Sequence, residues 1–415
     1  MFETTVGYLN LGDLESWKGN LEESSVYLNE AVRLYEEETD TKGIATVLRK
    51  QSIAAYRISD YVKLRAVATT ALQHCRALND ALGIAEASFY LGFSVLMLGK
   101  PYEALAILHE SLDICRTHGN DVGAVQCLEK IGEIQRSTGQ KQAALSTLDE
   151  AVSVASRSGD RLGMVKVLKT VGLTHSDLSD FAKSADALSE AITITRGIGW
   201  EGGLSTTLQT MGSLKTRTGD YCEAEELFQK SISTARQIRD RFRLARALEE
   251  LGECFRRQSK LDEASPVFEE ACLLWHDLAQ ERRLKRIAST LVELKSTQRK
   301  WDTALLWHDH IITVCRNQKQ QSEVTDHLRQ KAEILVKLQR YDEAALHFET
   351  AIVNNKENEY SLSQEPAQLC AIPKTTMKWE CRLPLLCDMK KLQRQQPQLT
   401  TAVLKLPISV GHGEL

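Results

Sequence analysis

A single register of 40 residues runs through most of this chain and limits what it can fold into. An apolar residue followed by glycine recurs in this register, as Leu11-Gly12, Leu91-Gly92, Ile131-Gly132, Val171-Gly172, Met211-Gly212 and Leu251-Gly252. The other terms of the same series are Ser52, Val292 and Ala332, so nine units follow one another without insertion or deletion. A fixed period of this length indicates a repeat array, in which each unit buries its apolar face against its neighbours.

Three further positions of the unit keep a constant character, where a unit position is the residue number minus a multiple of 40. Position 24 is small except at Leu64, and position 31 is small except at Ile311. Position 28 is a leucine or phenylalanine in seven units, with Ala68 and His308 as the departures. Small residues at fixed spacing allow two helices to approach closely, and we expect the bulky residue to fill the adjacent gap.

Turn residues recur in the same register and divide each unit into two helices. Gly99, Gly139 and Gly219 each follow a first helix, where glycine adopts the left-handed conformation that ends a helix. Aspartates at position 40, such as Asp80 and Asp160, mark the loop between units. We therefore predict helix A near unit positions 4 to 18 and helix B near positions 21 to 37. Only seven prolines and 6% aromatic residues agree with an all-α chain.

This pattern resembles the tetratricopeptide repeat (TPR) family over roughly residues 5–357. Repeat 6 shows the matching set as Met211, Gly212, Ala224, Phe228 and Ser231. The resemblance implies a right-handed α-solenoid of about nine helix-turn-helix repeats. The family's usual period is about 34 residues, and the proline that commonly ends helix B is absent here. The 40-residue form looks like the variety found in polarity-scaffold proteins and in regulatory arms of signalling ATPases.

The repeat also predicts the domain organisation. We expect a superhelical array over residues 1–357, with a truncated first repeat because only eleven residues precede Gly12. Five of the seven prolines fall within residues 353–415. The segment 358–415 is therefore predicted to be a non-repeat tail, disordered or with a short capping helix.

Several residues that could suggest a catalytic or ligand site are better explained by their positions in the repeat. The GxGxxG segment at residues 197–202 falls between two units, whereas a dinucleotide site needs a strand before it and a helix after it. The sequence contains no P-loop and no nucleophile–base constellation, so we expect no enzyme, no cofactor and no metal site. Cys75, Cys115 and Cys315 occupy one repeat position and are predicted to be buried apolar side chains. His308 replaces the bulky residue of its unit and is expected to face the core.

Function in a solenoid depends on its concave surface, which in the TPR family is lined by helix A. Unit positions 6, 9, 13, 16 and 17 lie on the side of helix A away from the packing residues. The predicted partner-binding residues on this side are Tyr56, Phe89, Phe93, Met97, Glu129, Glu133, Lys169, Arg217, Arg246, Glu249, Glu253, Arg256, Arg257 and Arg286. Packing between helices is the alternative for the aromatic residues. A solvated helix face is the alternative for the charged ones, and it is the expectation for the neighbours Glu249 and Glu250.

The sequence thus favours a cytoplasmic protein-interaction scaffold that binds peptide segments or helices of other proteins. The alternative is the regulatory sensor arm of a larger signalling NTPase whose catalytic domain lies outside this chain. No small-molecule substrate is evident, and no apolar run is long enough to span a membrane. The net charge of −4 gives no support for nucleic-acid binding.

Overall fold

The computed structural model describes residues 2–355 except 19, 58–59, 279 and 319, and this part of the chain is all-α. Its eighteen helices form nine consecutive A–B hairpins. The predicted tail lies outside the described residues. The first twelve helices are α1 Phe2–Lys18, α2 Leu21–Glu37, α3 Thr41–Arg57, α4 Tyr61–Ala77, α5 Ala81–Met97, α6 Pro101–Thr117, α7 Asp121–Ser137, α8 Lys141–Ser158, α9 Arg161–Asp177, α10 Phe181–Gly197, α11 Glu201–Thr218 and α12 Tyr221–Gln237. The other six are α13 Arg241–Arg257, α14 Leu261–Asp277, α15 Glu281–Thr297, α16 Trp301–Asn317, α17 Gln321–Lys337 and α18 Tyr341–Asn355.

These helices form two compact units that divide between Ile238 and Arg239. Unit 1 contains repeats 1 to 6, and unit 2 contains repeats 7 to 9. Within each unit, every helix A packs against the helix B of its own repeat, and that helix B packs against the next helix A. Helix α1 has 17 residues, the same length as most other helices.

The repeated glycine is required by the contact between helix A and helix B. A Cβ at Gly132 would lie 2.7 Å from Cγ of Leu148, and one at Gly212 would lie 2.8 Å from Cε1 of Phe228. Both distances are too short for a carbon–carbon contact, so a larger residue at either glycine would force the helices apart. The predicted packing of the position-28 residue into the gap left by the glycine is confirmed.

Helix A begins three residues earlier than the sequence predicted. The side chain of Asp160 caps α9 by accepting a hydrogen bond from the backbone N–H of Gly163 at 2.8 Å, so the helix starts directly after the aspartate. Asp80 caps α5 in the same way through Gly83. The glycines that follow the aspartates therefore lie in the first turn of helix A and not in the loop. A Cβ at Gly163 would collide with the capping carboxylate, at 2.2 Å from Oδ2 of Asp160.

The segment with the GxGxxG pattern is a junction between two helices, as predicted. Gly197 ends α10, Gly199 has a φ of +65°, and Trp200 precedes the first residue of α11. Gly99 and Gly219, which end first helices, both have φ of +88°, which confirms their left-handed conformation.

The sequence also predicted that three cysteines and one histidine lie in the core. Cys75, Cys115 and Cys315 are all buried, as expected for small apolar side chains. His308 is also buried, which confirms that it faces the core. No helix among the described residues combines the length and the apolar character needed to cross a bilayer.

Candidate functional site

The candidate site is the helix-A face, defined by unit positions 6, 9, 13, 16 and 17 of each helix A. Position 9 is less open than the helical periodicity predicted. Glu129 and Gln209 are each only 4% exposed, and Glu249 is 8% exposed. The expectation that position 9 points into an open groove is wrong for these three residues. Glu129 and Glu249 are bonded to side chains of a neighbouring helix A. The hydroxyl of Thr170 on α9, for example, donates to Oε1 of Glu129 on α7 at 2.9 Å.

Aromatic side chains of repeats 2 and 3 form one cluster in unit 1. Phe93 is 8% exposed, and its ring meets Tyr56 edge-on with 4.8 Å between centroids. Tyr61 also contacts Phe93, at a centroid distance of 6.0 Å, and Nζ of Lys130 lies 5.3 Å from the centre of the same ring. Burial raises the pKa of Tyr56. Phe93 is therefore a packing residue of this cluster.

The other two apolar members of the predicted set remain accessible. Phe89 is half-buried and meets Tyr90 edge-on at a centroid distance of 5.3 Å. Met97, at the end of α5, is 39% exposed. Phe89 and Met97 are thus two apolar members of the predicted set that a partner can reach.

An ion network centred on Lys130 lies beside the aromatic cluster. Nζ of Lys130 is 3.2 Å from Glu129 and 2.7 Å from Glu133. Burial alone would lower the pKa of Lys130, but the two glutamates raise it well above its usual value. In turn, Lys130 lowers the pKa of Glu133 to about 2. Lys130 and Glu133 are therefore both charged at neutral pH, and each charge compensates the other.

Asp177 links three successive helices A on the same face of unit 1. Arg136 of α7 donates to Oδ2 of Asp177 at 2.6 Å, and Arg217 of α11 lies 3.3 Å from Oδ1. Arg217 also donates to the hydroxyl of Ser176 at 2.7 Å. These bonds cross between repeats and hold the face in one arrangement.

Cationic side chains outnumber carboxylates on this part of the molecule. Across α7, α9 and α11, the face together with the adjoining unit position 10 holds five cationic side chains and three carboxylates. Lys166 lies more than 4 Å from every carboxylate of the described residues, and burial lowers its pKa. Lys169 lies close enough to Glu133 to help lower the pKa of that carboxyl.

The helix-A face of unit 2 is charged but balanced. Glu249, expected on a solvated helix face, is buried and accepts a hydrogen bond from Arg286. Glu253 pairs with both Arg256, at 2.7 Å, and Arg257, at 3.1 Å. Burial alone would raise the pKa of Glu253, but hydrogen bonds from the two arginines keep it below its usual value. Arg246 lies half-buried on α13.

Between α15 and α17 of unit 2 the face opens into a cavity of about 580 Å³. At its floor, Nδ1 of His308 and Nδ1 of His327 are 3.2 Å apart. Burial and the neighbouring His327 lower the pKa of His308 to about 4. The lining residues are Ser289, Val292, Glu293, Ser296, Thr297, Trp301, His308, His327, Gln330, Glu333, Ile334 and Lys337. No group of three or more potential metal ligands occurs in the described part of the chain.

Sequence reasoning missed two of the residues that organise this face. Lys130 lies at unit position 10 and His327 at position 7, both outside the set chosen from helical periodicity. A signal for Lys130 was present, because a lysine three residues before a glutamate on a helix is placed to pair with it, as Lys130 does with Glu133. No comparable signal exists for His327, since its partner lies on a different helix.

Comparison with protein families gives two matches. A family model described as tetratricopeptide repeat matches residues 83–156 and 204–272. A second model, described as anaphase-promoting complex subunit 5, matches residues 2–52 and 166–218. No curated protein matches the sequence.

Several solved structures share the fold at low sequence identity. A Rap protein complexed with Competence and Sporulation Factor is 13% identical, with 86% of this chain and 98% of that chain covered and a TM-score of 0.55. A signal transduction ATPase with a tetratricopeptide repeat sensor from Pyrococcus horikoshii is 11% identical, over 84% of this chain and 54% of that one, with a TM-score of 0.56. The Rap conjugation gene regulator of plasmid pLS20, in complex with the Phr* peptide, is 13% identical over 78% of this chain and 97% of that one, with a TM-score of 0.54.

Proposed function

The chain belongs to the tetratricopeptide repeat family, and on that premise we propose that it is a protein-interaction scaffold that binds partner segments on its helix-A face. The observation that carries the proposal is the set of polar bonds that cross between helices A, such as Thr170 to Glu129 and Arg217 to Asp177. Such bonds fix the side chains of the face before a partner arrives, which lowers the entropy lost on binding. Accessible apolar side chains beside this fixed polar network supply the contact area.

The structural neighbours motivate the same proposal. Two of them are described in complex with a factor or a peptide, namely the Rap protein and the pLS20 regulator. At 13% identity the likeness concerns the fold, so the binding residues of this chain have to be argued from its own face.

The predicted binding residues divide by their surroundings. Phe89, Met97, Arg217, Arg256 and Arg257 keep side chains within a partner's reach. Phe93, Glu129 and Glu249 are buried, so we propose that they support the face from beneath and do not contact a partner directly. The other members of the set, Tyr56, Glu133, Lys169, Arg246, Glu253 and Arg286, stay as proposed contact residues.

The test is affinity capture with the full chain carrying F89A and M97A together. We expect partner recovery or affinity to fall by about tenfold or more, since truncating accessible apolar anchors removes the contacts that dominate such interfaces. The matched control is V62A with Y102A, which truncates two exposed side chains on α4 and α6, the helices B of repeats 2 and 3. An unchanged partner profile for the F89A/M97A chain, with an intact helical fold by circular dichroism, would contradict the proposal.

A second candidate function is the sensor arm of a signalling NTPase. It is favoured by the likeness to the Pyrococcus horikoshii ATPase, of which this chain covers 54%. The two candidates are separated by the genomic sequence around the coding region. An in-frame P-loop domain joined to this chain supports the sensor arm, and an independent reading frame without one supports the scaffold.

A further inference from the structure

We propose that the helix-A face of repeats 4 to 6 binds an acidic polypeptide segment through side-chain carboxylates, with Lys166 and Lys169 of α9 as the main cationic contacts. The proposal rests on the proposed function and names the chemistry of the partner. It depends on the charges of α7, α9 and α11 in unit 1.

The carboxylates of this region are already occupied by the protein's own donors. Glu129 accepts from Thr170 and pairs with Lys130, which also pairs with Glu133. Asp177 is shared by Arg136 and Arg217. These three carboxylates are therefore satisfied internally and have little tendency to attract a basic partner.

Lys130, Arg136 and Arg217 supply the cations of these pairs, and Lys166 takes part in none of them. Lys166 has no carboxylate within 4 Å among the described residues, although it is half-buried. Burial is the largest cause of its lowered pKa, which means that its charge is poorly solvated where it stands. A ligand carboxylate beside Lys166 would offset that desolvation, so an anion gains more here than at an exposed lysine.

The position of Lys169 extends the site along α9. Lys166 and Lys169 are one helical turn apart, so their ammonium groups lie on the same side of the helix. Arg217 on α11 is 40% exposed and lies on the next helix A. Neighbouring packed helices are about 10 Å apart. One turn of a polyproline II segment, three residues at about 3.1 Å each, spans this distance and keeps every third side chain on the same side. We therefore expect acidic residues at every third position of the bound segment.

Unit 2 differs from this region of unit 1, because its cationic and acidic side chains are balanced. An acidic partner is therefore expected on unit 1 and not on unit 2. Its glutamates and arginines pair with each other, as Glu253 does with Arg256 and Arg257. Nucleic acid is less favoured than an acidic peptide, because the chain as a whole carries a net charge of −4 and lacks the basic excess typical of nucleic-acid-binding proteins.

The experiment measures binding of a fluorescent 12-residue peptide to the full chain by polarisation. The peptide carries glutamate at every third position in a Gly/Ser background and is acetylated and amidated, so that only side-chain carboxylates are offered. We expect K166Q/K169Q to weaken binding by about tenfold or more. The wild-type affinity should also fall several-fold between about 50 and 300 mM salt, since the contacts are partly exposed.

The matched control is K183Q/K230Q, which removes the same two charges from exposed positions on helices B of unit 1. K166M/K169M is the second variant, because methionine keeps the apolar stem of lysine in the half-buried sites. Four results would overturn the proposal. Three concern the ligand: no binding of the glutamate peptide, equal binding of its glutamine version, or tighter binding of a 12-nucleotide thymidine strand. The fourth is that K183Q/K230Q weakens binding as much as K166Q/K169Q does. If F89A/M97A loses partner recovery as expected but the glutamate peptide does not bind, only the acidic partner is wrong and the scaffold function stands.

Discussion

Repeats 4 and 5 of unit 1 and repeats 8 and 9 of unit 2 carry the same helices in the same register but present different faces. In repeat 4, Gly132 allows Leu148 to pack closely against helix A. In repeat 8, Val292 and His308 occupy the two corresponding positions. The first region is joined by buried ion pairs, and the second opens into a cavity of about 580 Å³ with two histidines at its floor.

The difference shows how much the face depends on the packing beneath it. A glycine at position 12 brings the two helices of a repeat together, and neighbouring helices A then lie close enough to share ion pairs such as those of Asp177. A branched residue at the same position leaves the helices less closely packed. Polar side chains there face a cavity and each other, as His308 and His327 do.

The largest effect is expected from removing Lys130, which should break the ion network of unit 1. In Lys130→Met, the carboxylate of Glu129 stays buried without its cation, and we expect unfolding to become easier by about 3–5 kcal/mol. The control is Arg256→Met in unit 2, whose charge is half-exposed, so the expected cost is about 1 kcal/mol or less. Urea unfolding followed by circular dichroism measures both. Equal losses for the two variants would show that the Lys130 network is no more critical than a surface pair.

The second prediction uses repeat 2 as a template for repeat 4. Repeat 2 has Ser52 where repeat 4 has Gly132, and Ala68 where repeat 4 has Leu148. We expect Leu148→Ala to destabilise the chain by about 3 kcal/mol through the cavity it creates, and Gly132→Ser to cost about 1–3 kcal/mol through overpacking.

The double variant G132S/L148A tests whether the two positions form one packing unit. The serine should occupy part of the space that the leucine leaves, so the double variant should be more stable than the sum of the single losses by about 1 kcal/mol. If urea unfolding shows that the losses of the two single variants simply add, the residues at positions 12 and 28 do not affect each other's contribution to stability.

Much of this architecture could be predicted from the sequence, because the repeat multiplies each weak local signal. One glycine indicates little, but six glycines in a 40-residue register fixed the order of the helices and placed the GxGxxG segment between them. The start of helix A was predicted three residues late. The reason is that Asp160 was taken as a loop marker, whereas its side chain is a helix cap.

The candidate site was less predictable, because helical periodicity describes one helix and the face is made by several. Position 9 was expected to be open, yet Glu129 and Glu249 are covered by residues of the next helix A. The cavity of unit 2 depends on His308 and His327, which are 19 residues apart on different helices. Contacts of this kind arise from tertiary packing and have no period in the sequence.

The last prediction concerns the pH dependence of unit 2. The pKa of His308 is lowered to about 4, by burial first and by His327 second, while Lys331 also lowers it and Asp309 opposes the change. The unfolded chain binds a proton at this histidine near pH 6.5, whereas the folded chain does so only near pH 4. The unfolded state therefore holds more protons in this window, and stability falls as the pH drops through it.

Between pH 7.5 and 5 we expect His308 to account for a loss of about 2 kcal/mol. His308→Phe restores the bulky residue found at Phe268 and Phe348 and should remove that part of the loss. The control is His276→Gln, because His276 is exposed and should leave the pH dependence unchanged. Hydrogen exchange of residues 281–337 in the full chain, at both pH values, reports the opening of this region. If H308F opens as readily at pH 5 as the wild type, the buried histidine pair is not what makes the face of unit 2 differ from that of unit 1.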